Sequence, residues 1–157
     1  MKTSIGIKEN DTQAVAAILN KLLADEHVLY IKLRNAHWNI EGADFHAQHL
    51  FFETLYTELA VTIDDVAERA RAIGHYAVGT MKEFLALSEL SEMHYKKNDS
   101  QGYIKELLSD YESIIMYIRS QIEVVGDKHK DSGTEDFLIG VMADHEKTAW
   151  MLRAHVR

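Results

Sequence analysis

The chain has 157 residues, enough for one domain with a sizeable core. Its lack of Cys excludes a disulfide framework and a thiolate metal site, and its lack of Pro suits long, uninterrupted helices. A formal charge of −8 argues against nucleic-acid binding by simple electrostatics. No apolar run reaches membrane-span length and the N-terminus carries no apolar signal core, so the expected location is the cytoplasm with no membrane contact.

Four long amphipathic helices and one short helix are expected. The first spans about Asp11–Trp38, with Val15, Ile18, Leu19, Leu22, Leu29 and Leu33 at helical spacing and Asn10 or Asp11 as its cap. Asn39–Gly42 breaks it. The second spans about Asp44–Ile73 and stops at Gly74. The connection that follows is too long to be plain loop in a compact domain. Within it Thr80 and Glu83 have capping-box spacing, and Phe84, Leu85 and Leu87 come next, so a short helix belongs there. The third long helix carries one apolar stripe from Ile104 through Leu107, Tyr111, Ile114 and Ile118 to Val125, and Gly126 is expected to end it. The fourth runs from about Thr134, with Leu138, Val141, Ala149 and Leu152 inward and Trp150 off the stripe. The pattern is an all-α four-helix bundle with one crossover carrying a short extra helix, the ferritin-like arrangement, as a single domain over residues 1–157.

Such bundles often hold two irons at their centre, using Glu-x-x-His pairs on two helices. No Glu in this chain has His three residues later. If metal binds, it binds elsewhere, and the second helix offers a place. His49, Glu53, Asp64 and Glu68 fall at about 0°, 40°, 60° and 100° around it, on one stripe. Yet Glu53 and Asp64 lie roughly 16 Å apart along the axis, too far for one centre. Two copies packed antiparallel about a twofold axis near residues 58–59 would bring His49 and Glu53 of one against Asp64 and Glu68 of the other. Thr57 and Ala60 between them are small enough for close approach. Carboxylate oxygen with imidazole nitrogen suits iron, manganese or zinc. Acids and His at this spacing are also common on plain solvated faces. His46 is expected to be a partly buried polar residue near His49, and Trp38 can simply cap the core. His27, His75, His94, His129, His145 and His155 read as surface or ordinary structural residues.

Two motifs then carry a resemblance. One is HWNIEG at 37–42, followed by His49 and an acid at 53; the other is IDDVAER at 63–69, followed by Ile73, Gly74 and Ala77. The closing segment HEKTAWMLRAH at 145–155 agrees with them. Together they resemble the Dps family, the bacterial mini-ferritins, over nearly the whole chain. The resemblance implies a hollow homododecamer that stores iron and protects against oxidative damage. It also implies a ferroxidase centre at the twofold interface that oxidises Fe(II), preferably with hydrogen peroxide. By motif position His37, His49 and Glu53 come from one subunit and Asp64 and Glu68 from its partner, with iron as the metal and zinc or manganese as substitutes. Trp38 either relays an oxidising equivalent or is structural. Many members have Asp where this chain has Glu53, and Gln48 stands where an apolar residue is usual.

The family also lines threefold pores with acids near the junction of the last two long helices, where Asp127, Asp131 and Asp136 are the candidates. Acids at a helix start serve the helix dipole equally well. DNA compaction without enzymatic activity is the alternative function. The family's DNA binders usually carry a basic tail, whereas the first nine residues here hold Lys2 and Lys8 against Glu9, and Arg157 follows closely on the last helix. DNA binding is therefore not expected.

Overall fold

The computed structural model describes residues 3–93 and 97–156, so the expectations placed on Lys2, His94 and Arg157 lie outside it. Helices α1 (Glu9–Asn39) and α2 (Phe45–Ala72) form an antiparallel hairpin. The crossover carries α3 (Met81–Leu87), and α4 (Ser100–Glu123) and α5 (Ser132–His155) complete the bundle. Among the described residues there is no strand, so the all-α bundle with a short crossover helix is as expected.

Apolar periodicity accounts for the core. Val15, Leu19, Leu22, Leu29 and Leu33 of α1 are fully buried against Phe52, Leu55 and Leu59 of α2, Ile104, Leu107, Ile114 and Ile118 of α4, and Leu138 and Leu152 of α5. Truncating any one of these leucines to Ala would cost about 2–5 kcal/mol through lost transfer energy and the cavity left behind. Gly74 closes α2 with φ at +100°, a backbone angle that disfavours any Cβ. The Thr80–Glu83 capping box of α3 is present, with both reciprocal hydrogen bonds formed.

Two local expectations are corrected. Helix α1 starts earlier, at Glu9, with Lys8 at the cap position and no side-chain cap, so Asn10 and Asp11 lie in the first turn. There Asp11 meets the buried His129 at 2.9 Å. Nor does Gly126 end α4. The chain continues through a π-helical turn, Val124–Lys128, with Gly126 inside it. A Cβ on Gly126 would meet the Glu135 carboxylate, the end of a flexible side chain that would have to turn aside.

The bundle interior also carries charge. Glu26 of α1 is fully buried, and its Oε1 lies 2.7 Å from Nε2 of the buried His145 on α5. The Tyr111 ring stands edge-on to the imidazole at 5.2 Å. A second cluster centres on buried Lys32, whose Nζ lies 2.5 Å from Asp110 and 3.1 Å from Glu106 on α4. The same Nζ donates to the Ser91 carbonyl at 3.0 Å, fastening the crossover to the bundle. Removing one partner of such a pair strands the other charge, which costs about 3–5 kcal/mol. Burial alone would strip the proton from His145, but the Glu26 carboxylate, aided by Asp144, outweighs it. The imidazole is held above its ordinary value of 6.5.

This gives a signed pH dependence. A pKa raised on folding stabilises the fold fully below the unfolded value, and the contribution fades as pH rises through the folded value. Urea midpoints of the parent should therefore fall from pH 6 upward into the alkaline range, whereas His145→Gln should show a flatter profile over that interval. Parallel profiles would contradict the pairing.

Candidate metal centre

The site begins at the turn between α1 and α2. Ile40 is buried and carries the chain out of α1, Gly42 adopts φ of +125°, and the Glu41 N–H donates to the Asn98 carbonyl at 2.7 Å. This turn brings His37, near the end of α1, beside His49 in the first turns of α2. The two imidazoles lock each other. His37 Nδ1 lies 2.8 Å from the His49 carbonyl, and His49 Nδ1 lies 2.8 Å from the His37 carbonyl. A carbonyl only accepts, so each Nδ1 must be the donor. Both rings are thereby fixed as the tautomer whose Nε2 carries a free lone pair, the arrangement that orients metal-ligating His. The rings stack 3.8 Å apart at 18°, with Phe45 against His49 and Tyr56 edge-on to His37. The stacked rings thus leave two separate Nε2 donors available to metal.

Glu53, Thr57, Ala60, Asp64 and Glu68 are all exposed along α2, His49 is half-buried, and His37 is buried. Within one subunit the structure joins His37 and His49 but leaves Asp64 and Glu68 further along the helix. Among the described residues no three metal-type side chains converge. Nor does any ion pair neutralise Glu53, Asp64 or Glu68 within that set. The shallow depression around Asp64 is rimmed by His27 as well as by Ala60, Val61, Ile63 and Ala67. A deeper groove of about 560 Å³ lies between α2 and α5, over Tyr111 and His145, and contains none of the ligand stripe.

Other sequence expectations sort themselves by environment. His46 is exposed instead of partly buried, and Trp38 is 62% exposed instead of capping the core. Gln48 is buried, with Nε2 3.4 Å from His155 at the far end of α5 and Oε1 without a partner among the described residues. Asp131 is buried as the cap of α5. It accepts from the Thr134 N–H at 2.9 Å and the Thr134 hydroxyl at 2.6 Å, and pairs with Arg69 at 3.1 Å. Asp127 and Asp136 are exposed. Sequence reasoning missed Arg34, which has no motif to mark it, yet whose guanidinium lies over the Trp38, Tyr56 and Tyr30 rings beside His37.

The ferritin-like domain family matches residues 16–157. The chain is 41% identical to DNA protection during starvation protein 2 of Bacillus anthracis, over 89% of this chain and 94% of that protein. The Dps crystal structure from Vibrio cholerae, described as a member of the ferritin-like diiron-carboxylate superfamily, superposes with a TM-score of 0.91. It shares 30% identity, covering 98% of this chain and 96% of that one. The chain belongs to the Dps family. A zinc-soaked Dps structure from Listeria innocua is similar at a TM-score of 0.83 and 32% identity, covering 88% of this chain and 93% of that one.

The Dps membership and the imidazole lock together make a specific expectation about metal affinity. Removing either ring deletes one ligand and also frees the other ring to turn. His37→Ala and His49→Ala should each weaken Co(II) binding about 10–100-fold, and the double variant should fall short of the sum of the two losses. Calorimetric titration checks this; strictly additive losses would mean that the rings act independently.

Proposed function

We propose that this Dps-family protein oxidises Fe(II), preferably with hydrogen peroxide, at centres shared between twofold-related subunits, and stores the ferric product inside a closed homododecamer. His37, His49 and Glu53 of one subunit and Asp64 and Glu68 of its partner form each centre. The observation that carries this is the mutual Nδ1 lock, which leaves two Nε2 lone pairs beside an un-neutralised carboxylate stripe. Family membership supports iron storage and protection as the general role.

The chemistry follows from pairing. Two Fe(II) deliver two electrons to one peroxide, which takes up two protons and leaves as water. A lone Fe(II) delivers one electron and releases hydroxyl radical. Hard carboxylate oxygens favour the ferric product, and two neutral imidazoles limit the negative charge of the site. Zinc or manganese fits the same donors. The longer Glu53 side chain reaches further than Asp would and spans to the same stripe. For iron entry Asp127 and Asp136 are the better pore candidates, since Asp131 is already committed within the subunit. The site of action we propose is the cytoplasm.

DNA compaction is the second reading, favoured by the relatives' name. The charge of −8 per chain, multiplied over a shell, opposes it. Gel shifts at physiological salt should show no appreciable duplex binding; salt-resistant complexes would revive the second reading.

Sharing between subunits can be tested by complementation. His49→Ala and Asp64→Ala assemblies should each lose Fe(II)-dependent peroxide consumption at two Fe(II) per peroxide. Co-assembled in equal amounts, they regenerate one intact centre at every mixed twofold interface, so about a quarter of the parent activity should return. A mixture as inactive as its parts would refute the shared centre.

A further inference from the structure

One imidazole outside the motifs is held in the same way as the His37–His49 pair. His27 reads from sequence as a surface or ordinary structural residue, yet its Nδ1 lies 2.8 Å from the Leu23 carbonyl, one turn back on α1. The carbonyl only accepts, so Nδ1 carries the proton and Nε2 keeps its lone pair. Phe84 of α3 stacks on the ring at 3.8 Å and 15°, which fixes its plane. No hydrogen bond occupies Nε2 among the described residues. Other histidines bond side chains instead: His75 meets Thr12, His129 meets Asp11, His145 meets Glu26 and His155 meets Gln48. Among the described residues, only His27, His37 and His49 have rings bonded to a backbone carbonyl.

The ring of His27 rims the depression that holds Asp64, and the rest of that rim, Ala60, Val61, Ile63 and Ala67, brings neither a competing donor nor a cation. Asp64 is exposed and enters no ion pair among the described residues. A nitrogen lone pair from α1 and an un-neutralised carboxylate from α2 therefore border one depression. His27 and His37 are ten residues apart on α1, roughly 15 Å, so a metal on His27 is not one held by the imidazole pair of the same subunit. We propose that His27 Nε2 and the Asp64 carboxylate form an auxiliary metal position, separate from the His37–His49 pair, for a divalent first-row cation such as Fe(II), Co(II) or Zn(II). One imidazole and one carboxylate are donors of the right kind, and water completes the coordination in so open a depression. The relation of this position to the oxidation centre rests on the shared-centre reading, in which Asp64 also serves the imidazole pair of a second copy. A carboxylate has two oxygens, so Asp64 can hold the auxiliary cation on one and the cation of the centre on the other. On that reading the next Fe(II) waits one carboxylate away from the centre.

Zn(II) alone is the probe, because its bonds to imidazole nitrogen fall in a narrow range of length. The experiment compares parent, His27→Gln, His27→Phe and Asp64→Asn as assembled, iron-free protein. His27→Phe keeps a ring against Phe84 but has no nitrogen, so it separates loss of a ligand from loss of packing. Equilibrium dialysis at micromolar free Zn(II), followed by metal analysis, should give the parent an additional Zn(II) per subunit over both His27 variants. Anomalous diffraction from Zn(II)-soaked crystals should place that ion about 2.1 Å from His27 Nε2. The peak should vanish in both His27 variants and in Asp64→Asn. No peak at His27 in the parent, or equal Zn(II) content in parent and His27 variants, overturns the proposal. A peak that survives Asp64→Asn overturns the pairing with Asp64. A crystal peak without the additional equivalent in dialysis is binding at crystal concentration only, and overturns it too. The same crystals decide the shared centre separately: Zn(II) on His37 and His49 without a carboxylate from a second copy defeats that reading, while the peak at His27 still decides this one.

Discussion

The two N–H to carbonyl bonds between His37 and His49 are the constraint on which the site depends. One of their two acceptors is a carbonyl with no helical donor of its own. The His37 carbonyl lies within the last turn of α1, where the chain turns away and helical carbonyls lose their intrahelical donors. The His49 carbonyl sits inside α2 and uses its second lone pair. The break at Ile40–Gly42 therefore does two things at once. It folds the hairpin and frees the oxygen that sets the His49 tautomer. A longer α1 would make that oxygen share its lone pairs with a helical N–H, as the His49 carbonyl does.

The interior of the bundle explains why the chemistry sits on the surface of the subunit. Where other bundles concentrate uncompensated acids, this one closes its charges off. Glu26 is met by His145, and Lys32 meets Asp110 and Glu106. Burial raises the Asp110 carboxyl even against the pull of Lys32, so this cluster sits in a strongly desolvated place. A cation entering there would have to displace an existing partner. The un-neutralised acids of α2 point outward instead, on a helix too straight to fold its own halves together. A second copy is the simplest way to bring them within one coordination sphere.

Much of this was legible from the sequence. Apolar periodicity located the helices, and paired turn residues located Gly74 and the α3 cap. The outward stripe of α2 followed from helical spacing alone. What escaped did so for physical reasons. The π-helical turn inserts one residue without breaking the apolar rhythm, so Val125 stays inward and Gly126 resembles a terminator. Glu26 and Lys32 occupy core positions as charged residues, and their partners lie 119 and 78 residues away, beyond any local pattern. His37 could not emerge from periodicity along α2, because it belongs to another helix; the family motif supplied it.

Arg34 shows what a stripe of ligands cannot reveal. A cation one turn from His37 opposes metal binding by its charge, so a site built only for affinity would carry a neutral residue there. Affinity is not the sole requirement when the ion must leave as mineral. On the ferroxidase reading, the carboxylates Glu53, Asp64 and Glu68 face ions whose charge grows on oxidation, and stronger holding would retain the product. On that reading a fixed positive charge nearby moderates that retention. A lysine should therefore preserve this moderation, whereas a neutral residue of similar shape should lose it.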